Sequence, residues 1–393
     1  MVGGGIAGLS LAWELARRGR HVSVLDAGPI GGAASLAATS YMEPRFGRGA
    51  SRRLEWAALA RWPDYAAQLT EASGMSVPLR HGQWRFAFAA DESAVRADME
   101  RRRGLGWRVS WLSGEALREQ VPELAREVVG ACAVADPLWT DGAQVCKALR
   151  TALERKGHDV RENMQVDRVT TVHVNARPHH RHGLACLART RNDGEPRSPP
   201  EHAAEIDGAN VVLCAGSGVD RIAWAGAGPL RGEEVSALGV PPVRRLKGTA
   251  LLYRTRLALP HMLRHPDISI VPRANGVLVG ASKEPDATSL APDPDVVAHL
   301  HQRACRVLPA LADVCPEPRT GWRAYVDGTA LALGRSGDVP RLWWSLGHGG
   351  VGYLRAPVIA AEMAGAMCGE PLDLCGPFFT GPHDALEKAA AKG

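Results

Sequence analysis

Gly3, Gly5 and Gly8 open the chain in a G-x-G-x-x-G spacing, and an acid, Asp26, follows eighteen positions after the last of them. Residues of these types at these intervals suit the pyrophosphate of a dinucleotide. The first glycine permits a tight turn, the second lets backbone approach the phosphates, and the third lets a helix pack close to the sheet. The free N–H groups and positive dipole end of the helix that follows then face the anion. Asp26 stands where a carboxylate accepts both ribose hydroxyls of an adenosine.

The elements that must position these residues are legible around them. Residues 9–18 are good helix formers ending near Gly19, and 21–25 read as a strand closing on Asp26, which completes a βαβ unit. Only Met1 and Val2 precede the glycines, whereas a strand usually runs about five residues. The expectation is a clipped first strand or, preferably, a segment upstream of Met1. Helices are predicted over 54–74, 92–104, 143–155, 296–308 and 356–367, with another starting near 113–117. Strands are predicted over 83–88, 166–174, 184–190 and 209–216, with 248–278 strand-rich throughout. The run Gly31-Gly32-Ala33-Ala34-Ser35 is small and reads as flexible backbone able to lie along a ligand.

Composition narrows the class. With 45% hydrophobic residues, 23% charged residues and a net charge of +5 over 393 residues, the chain reads as a globular protein long enough for two domains or for one large core with an inserted second layer. That small net charge gives no argument for nucleic acid as a partner, although a basic rim would suit an anionic substrate. No run approaches the length of a membrane span, and the apolar start precedes Arg17, Arg18 and Arg20, the wrong polarity for a signal peptide. Eight scattered cysteines contain no C-x-x-C pair, which predicts no metal site, no disulfide framework and a cytoplasmic location. His179, His180 and His182 could form a metal patch but read better as a solvated hairpin tip beside Pro178 and Gly183.

The order βαβ, insert, β, insert, βα predicts an α/β protein with a discontinuous Rossmann-like domain and a second domain of mixed or antiparallel sheet. The dinucleotide domain is expected from 1–80, 140–235 and 318–393, and the substrate domain from 81–139 and 236–317.

Several further motifs share one order and cover nearly the whole chain. They are Gly32-Ala33-Ala34-Ser35 with Pro44, Val212-Leu213-Cys214-Ala215-Gly216, Arg245-Leu246-Lys247-Gly248, and Ile270-Val271-Pro272-Arg273 with Val279-Gly280-Ala281-Ser282. Gly321-Trp322-Arg323, Asp327-Gly328, Leu333-Gly334 and Gly347-His348-Gly349-Gly350 before Ala356-Pro357 close the set. With these motifs the chain resembles the flavin-dependent D-amino-acid oxidase superfamily, and within it the glycine oxidase branch. The resemblance implies a non-covalent FAD in a domain of the glutathione-reductase type. Its pyrophosphate would lie on Gly3, Gly5, Ile6, Ala7 and Gly8, and its ribose on Asp26. Ala34 and Ser35 would run along the flavin and diphosphate, and Ala215 and Gly216 would complete the cradle. Gly347, His348, Gly349 and Gly350 would pass the pyrimidine end, where a glycine-rich loop feeding a helix favours negative charge on the ring.

The same resemblance makes Arg323 the clamp for a substrate carboxylate, a guanidinium fork that fixes the Cα–H against the flavin. The alternative is an arginine paired with Asp327. Tyr325, two residues on, would share its strand face and could supply a hydroxyl, or simply pack. The implied activity is oxidation of the C–N bond of an amino acid or N-substituted amino acid by hydride transfer to the flavin. An imine and then a 2-oxo acid result, with oxygen the expected acceptor. Three positions depart from the branch: Ser269 where a tyrosine is usual, Gly350 where an arginine is common, and Lys283 in place of an apolar residue. Ser269 and Gly350 should open the pocket, which argues against glycine as the best substrate, and Lys283 either meets a second anionic group or reaches solvent. His348 is expected near the cofactor rather than as a base. Rival readings are a dehydrogenase passing electrons to a quinone or a protein, a tRNA-modifying flavoprotein, and a flavin-binding subunit with lost catalysis. A homo-oligomer is left open.

Overall fold

The computed structural model describes residues 1–46, 49–174, 181–190, 204–208, 210–224, 235–339 and 341–381. Its central sheet is built around the two residues that precede the glycines. Val2 bridges in parallel to Leu25 on one side and Leu213 on the other. Its N–H donates to Val212 O at 2.9 Å, and its carbonyl accepts from Cys214 N–H at 2.7 Å. Outward from this stub lie Ser23–Leu25 and Asp159–Arg161 on one side, and Val211–Leu213, Leu342–Leu346, Ala332–Arg335 and Phe379–Thr380 on the other.

Helix Ile6–Arg17 starts at the glycine turn and is buried over nearly its whole circumference, with Leu9, Leu11, Trp13 and Leu15 all in the core. A helix apolar all round must be covered all round. Helices Gly142–Arg155 and Gly352–Met367 pack directly against it, with Ala50–Ser73 packed on both of those. It ends as its sequence requires. Gly19 takes a φ of +72°, and Arg20 N–H returns to Leu15 O at 3.0 Å, the glycine-terminated cap that satisfies the last carbonyls. The opposite face of the sheet is covered by Met164–Val174, Arg181–Thr190 and Ala223–Trp224, whose Val169, Leu184 and Trp224 share a core with Leu342 and Trp344.

A second, larger sheet holds nine strands among the described residues. It runs Glu317–Tyr325, Arg244–Arg254, Gly276–Gly280, Ile268–Arg273, Met262–His265, Arg80–Phe88, Val128–Trp139 and Tyr41–Met42, with Val109–Ser113 also on Val128–Trp139. Every pairing in it is antiparallel except Met262–His265 on Arg80–Phe88. Helices Pro294–Val307 and Gly114–Gln120 cover one face through Leu300, Ala304 and Leu117. The fold is thus the expected α/β architecture, a Rossmann-like domain joined to a mixed, largely antiparallel sheet. Among the described residues no helix is long and apolar enough to cross a membrane.

Three local expectations change. The small run after Gly31 folds as a short helix, Ala33–Ala37, because its alanines pack on the sheet; an added Cβ at Gly321 would lie 2.8 Å from Ala34 Cα. Val128–Trp139, not anticipated, forms a twelve-residue strand; its Gly130, Ala131, Cys132 and Ala133 carry little β-propensity, and pairing on both sides holds them extended. The last long helix begins at Gly352 rather than near Pro357, leaving Pro357 inside it. A proline there removes the N–H that would bond Tyr353 O. The indole of the fully buried Trp62 replaces it, donating to Tyr353 O at 3.1 Å and Leu354 O at 3.2 Å.

Trp62→Phe should therefore destabilise the protein by about 1–3 kcal/mol, the cost of an unsatisfied buried carbonyl. In a Pro357→Ala background the loss should shrink, because the restored N–H satisfies Tyr353 O. A double-mutant cycle by urea unfolding checks it, and additive losses would refute the account.

Candidate functional site

The glycine turn is made by close backbone approach. Gly3 has a φ of +107°, and a Cβ on it would sit 2.4 Å from Cys214 O; a Cβ on Gly8 would sit 2.0 Å from Gly3 O. No side chain fits either place. Gly5 is freer, its added Cβ meeting only Ser35 Oγ at 3.1 Å. Gly5 caps helix Ile6–Arg17 without a side-chain bond. Ile6 N–H donates to Ser35 Oγ at 3.0 Å, while the next first-turn donors, on Ala7 and Gly8, have no intrahelical acceptor. Asp26, at the end of Ser23–Leu25, accepts from Gly4 N–H at 2.6 Å and Gly28 N–H at 2.8 Å. Burial raises its pKa in spite of those two bonds, and its remaining lone pairs are open to hydroxyl donors.

A second helix start meets the first. The loop Gly347–Gly350 leads into Gly352–Met367, which also lacks a side-chain cap, and a Cβ on Gly352 would lie 3.8 Å from Ile6 Cγ2. Two uncapped helix N-termini thus converge, an arrangement that favours an anion between them. Gly347 and Gly349 hold φ values of +72° and +55°, which carry the loop past Tyr325. His348 Nε2 lies 3.1 Å from Ser345 Oγ, and its Nδ1 is buried with no partner. Burial, reinforced by the Arg355 cation, lowers its pKa to about 4, so the ring is neutral near pH 7. Arg355 is itself buried on Glu55. Ala215 and Gly216 lie just beyond Val211–Leu213, where Gly216 has a φ of +54°.

Arg323 projects from Glu317–Tyr325 over a glycine: a Cβ on Gly248 would come within 2.5 Å of its guanidinium. Its Nη1 donates to Ser282 O at 2.9 Å. Ser282 in turn belongs to a network in which Glu284 takes hydrogen bonds from Ser282, from Thr249 Oγ1 at 2.7 Å and from Lys247 Nζ at 3.0 Å. Among the described residues no carboxylate lies within salt-bridge distance of Arg323; Asp327 pairs instead with Arg244 at 3.1 Å. Burial lowers the Arg323 pKa, against the pull of Tyr325, Tyr41 and Glu284.

Tyr325 and Tyr41, with His348 and the Gly347–Gly350 loop, line a cleft of about 550 Å³. Ser269 does not face it. Fully buried, its hydroxyl accepts from the guanidinium of Arg264 on the neighbouring strand, and Arg264 lines the cleft in its place. The small residue at 269 therefore admits an arginine rather than empty space. Lys283 is exposed. Arg45, Arg85, Arg101 and Arg102 also line the cleft. Arg85 comes from strand Arg80–Phe88, and Arg101 and Arg102 from helix Glu92–Gly104, elements distant in sequence from the motifs. A cation inside the apolar strand Met262–His265 was the available signal for Arg264. His179 and His180 lie outside the described residues, as does the His182 side chain. Among the described residues no three His, Cys, Asp or Glu side chains cluster as a metal site.

The family model described as FAD dependent oxidoreductase (DAO) matches residues 1–366. The chain is 28% identical over 391 residues to an opine oxidase subunit of Agrobacterium tumefaciens (strain Ach5), covering 95% of each. It is 25% identical to glycine oxidase of Bacillus licheniformis, covering 95% of this chain and 93% of that one. The crystal structure of glycine oxidase from Geobacillus kaustophilus superposes with a TM-score of 0.77 at 22% identity, covering 97% of both chains. The residues present fit a flavin dinucleotide: a side-chain-free cradle at Gly3 and Gly8, first-turn donors on Ala7 and Gly8 that no intrahelical carbonyl can satisfy, and an orphaned buried His348 Nδ1.

The lowered pKa of His348 makes a signed prediction. Between pH 6.5 and 4 the unfolded chain binds a proton there that the folded chain does not, so stability falls as pH falls through this window and is flat above it. His348→Gln should remove roughly 2 kcal/mol of that loss, read from urea midpoints at pH 7, 5.5 and 4.5. Parallel profiles for both proteins would contradict the assignment.

Proposed function

Since this chain belongs to the DAO family of FAD-dependent oxidoreductases, we propose that it oxidises the C–N bond of an amino acid or an N-substituted amino acid. The observation that carries this reading is Arg323, a guanidinium with no carboxylate partner among the described residues, lodged over Gly248 and close to Tyr325 and Tyr41. Relatives named as a glycine oxidase and as part of an opine oxidase support the amino-acid class. The reading takes residues 1–80, 140–235 and 318–393 to form the FAD-binding part, with 81–139 and 236–317 forming the substrate part. It places FAD, held without a covalent bond, on Gly3, Gly5, Ile6, Ala7, Gly8, Asp26, Ala34, Ser35, Ala215, Gly216 and Gly347 to Gly350. Eight unpaired cysteines suit a reducing, cytoplasmic setting.

FAD, when bound, supplies a two-electron acceptor for the carbon–nitrogen bond. The chain's own part is orientation and electrostatics. Arg323 grips the substrate carboxylate with the donors that Ser282 O leaves free, and the Lys247–Glu284 network holds Ser282 for that purpose. Tyr325, on the same strand face, offers a hydroxyl to the substrate. The substrate leaves as an imine, having lost its α-hydrogen with two electrons and a proton from nitrogen, and water hydrolyses it to a 2-oxo acid and ammonia or, from an N-substituted substrate, a primary amine. The geometry asks for no strong base, and His348 is neutral where it stands. Oxygen is the acceptor in this reading.

A second reading, this chain as one component of a larger oxidase, draws on the relative named as an opine oxidase subunit. Light scattering on the chain purified alone, alongside its turnover, separates the two: full turnover by the isolated chain refutes the second.

The principal test is anaerobic mixing of the yellow protein with glycine, sarcosine, proline and D-amino acids while following the visible band. Bleaching by one class, reversed by air with formation of peroxide, is expected; no bleaching by any amine would defeat the proposal. Arg323→Ala should retain the yellow colour and weaken kcat/KM at least about 30-fold, as truncating one partner of a desolvated charge pair does.

A further inference from the structure

The cleft beside the Gly347–Gly350 loop carries five arginines, Arg45, Arg85, Arg101, Arg102 and Arg264, against a single acid, Glu43. Four of the five are paired with a carboxylate, although three of them share two acids and Arg45 shares its acid with Arg355. Arg85 and Arg102 share Glu43 and Asp98, Arg101 also binds Asp98, and Arg45 binds Glu55 at 2.9 Å. Arg264 is different. Among the described residues it has no carboxylate within salt-bridge distance; its Nη1 donates to Ser269, its guanidinium lies 4.8 Å from the centre of the Tyr41 ring, and its Nε is buried with no partner. Arg85 and Arg102 line the same cleft and add like charge, and the charge of Arg264 is among the influences that lower the Arg85 pKa, behind burial.

A guanidinium in a cleft of arginines, with no carboxylate partner among the described residues and a buried, unpartnered Nε, is suited to receive an anion. We propose that Arg264 receives a second carboxylate of the substrate, so that the preferred amine is a dicarboxylate held by Arg323 at one end and Arg264 at the other. The proposal rests on the reading of Arg323 as the clamp for the first carboxylate. The two positions are linked by the cleft's tyrosines: Tyr41 lies beneath the Arg264 guanidinium, and Tyr325, which lines the same cleft, shares a strand face with Arg323. Ser269 is then a positioning residue. Its small side chain leaves room for the guanidinium, and its hydroxyl occupies one arm of the fork, which turns the remaining donors towards the cleft. The second carboxylate comes either from a substituent on the amine nitrogen or from an acidic side chain.

Calorimetric titration of the FAD-loaded protein with thiodiacetate and with (methylthio)acetate tests this without turnover. The two ligands share a skeleton, differ by one carboxylate and contain no oxidisable amine. Thiodiacetate should bind at least about 30-fold more tightly, and Arg264→Gln should bring the ratio to within about threefold of one. Arg264→Lys should give an intermediate ratio and Ser269→Ala a reduced one. Equal affinities in the wild type, a ratio that survives Arg264→Gln, or no binding of either ligand would overturn the proposal. Turnover of iminodiacetate against D- and L-glutamate then separates the two sources of the second carboxylate. If the selectivity follows Arg264 while no amine bleaches the flavin, amine oxidation fails and the Arg264 assignment stands. If monocarboxylic amines are oxidised but thiodiacetate has no advantage, the reverse holds.

Discussion

Where the first helix, the stub at Val2 and the strand Val211–Leu213 meet, backbone touches backbone: a Cβ on Gly8 would lie 2.0 Å from Gly3 O, and one on Gly3 would lie 2.4 Å from Cys214 O. Everything at the nucleotide end follows from that contact. It sets how deep helix Ile6–Arg17 sits, and so requires the helix to be apolar all round and covered by its neighbours. It also brings the uncapped helix start level with the ends of Ser23–Leu25 and Val211–Leu213, where Asp26 and Gly216 lie. The second uncapped start, at Gly352, reaches the same point because Gly352–Met367 packs along the first helix. Two helix dipoles converging, with only Ile6 N–H met by a side chain, Ser35, are suited to a bound anion.

The end that holds Arg323 and Arg264 obeys a different constraint, the disposal of arginine charge. Arg355, Arg102, Arg85 and Arg45 each rest on a carboxylate, whereas Arg323 and Arg264 rest on a carbonyl and a hydroxyl. A neutral acceptor orients a guanidinium and leaves its charge uncancelled, which is the condition for binding an anionic ligand from solvent. Small neighbours make both arrangements possible: Gly248 under Arg323, and Ser269 under Arg264.

Much of this was legible from local pattern. Glu92–Gly104 has the bounds its periodicity predicts, and Gly142–Arg155 begins where Asp141 caps it by accepting from Ala143 N–H at 3.1 Å. The glycine turn, Asp26 and the Arg323–Tyr325 strand face all lie where their spacing puts them. What was misread depended on partners far along the chain. Pro357 looked like a helix start because the donor that tolerates it, Trp62, is 291 positions from the carbonyl it satisfies. Ser269 looked like a vacancy because Arg264 fills it from an adjacent strand.

By itself, then, the sequence determined the elements and the chemistry that depends on short intervals: the pyrophosphate turn, the strand that ends in an acid, the loop of glycines before the last helix, and an arginine and tyrosine two apart. These rest on backbone conformation and period, which neighbours in the chain impose. Only the tertiary structure decided which charges cancel. Whether an arginine is free or paired depends on carboxylates delivered by other elements, and no interval in the sequence records that Asp98 and Glu43 take up Arg85, Arg101 and Arg102 and not Arg264.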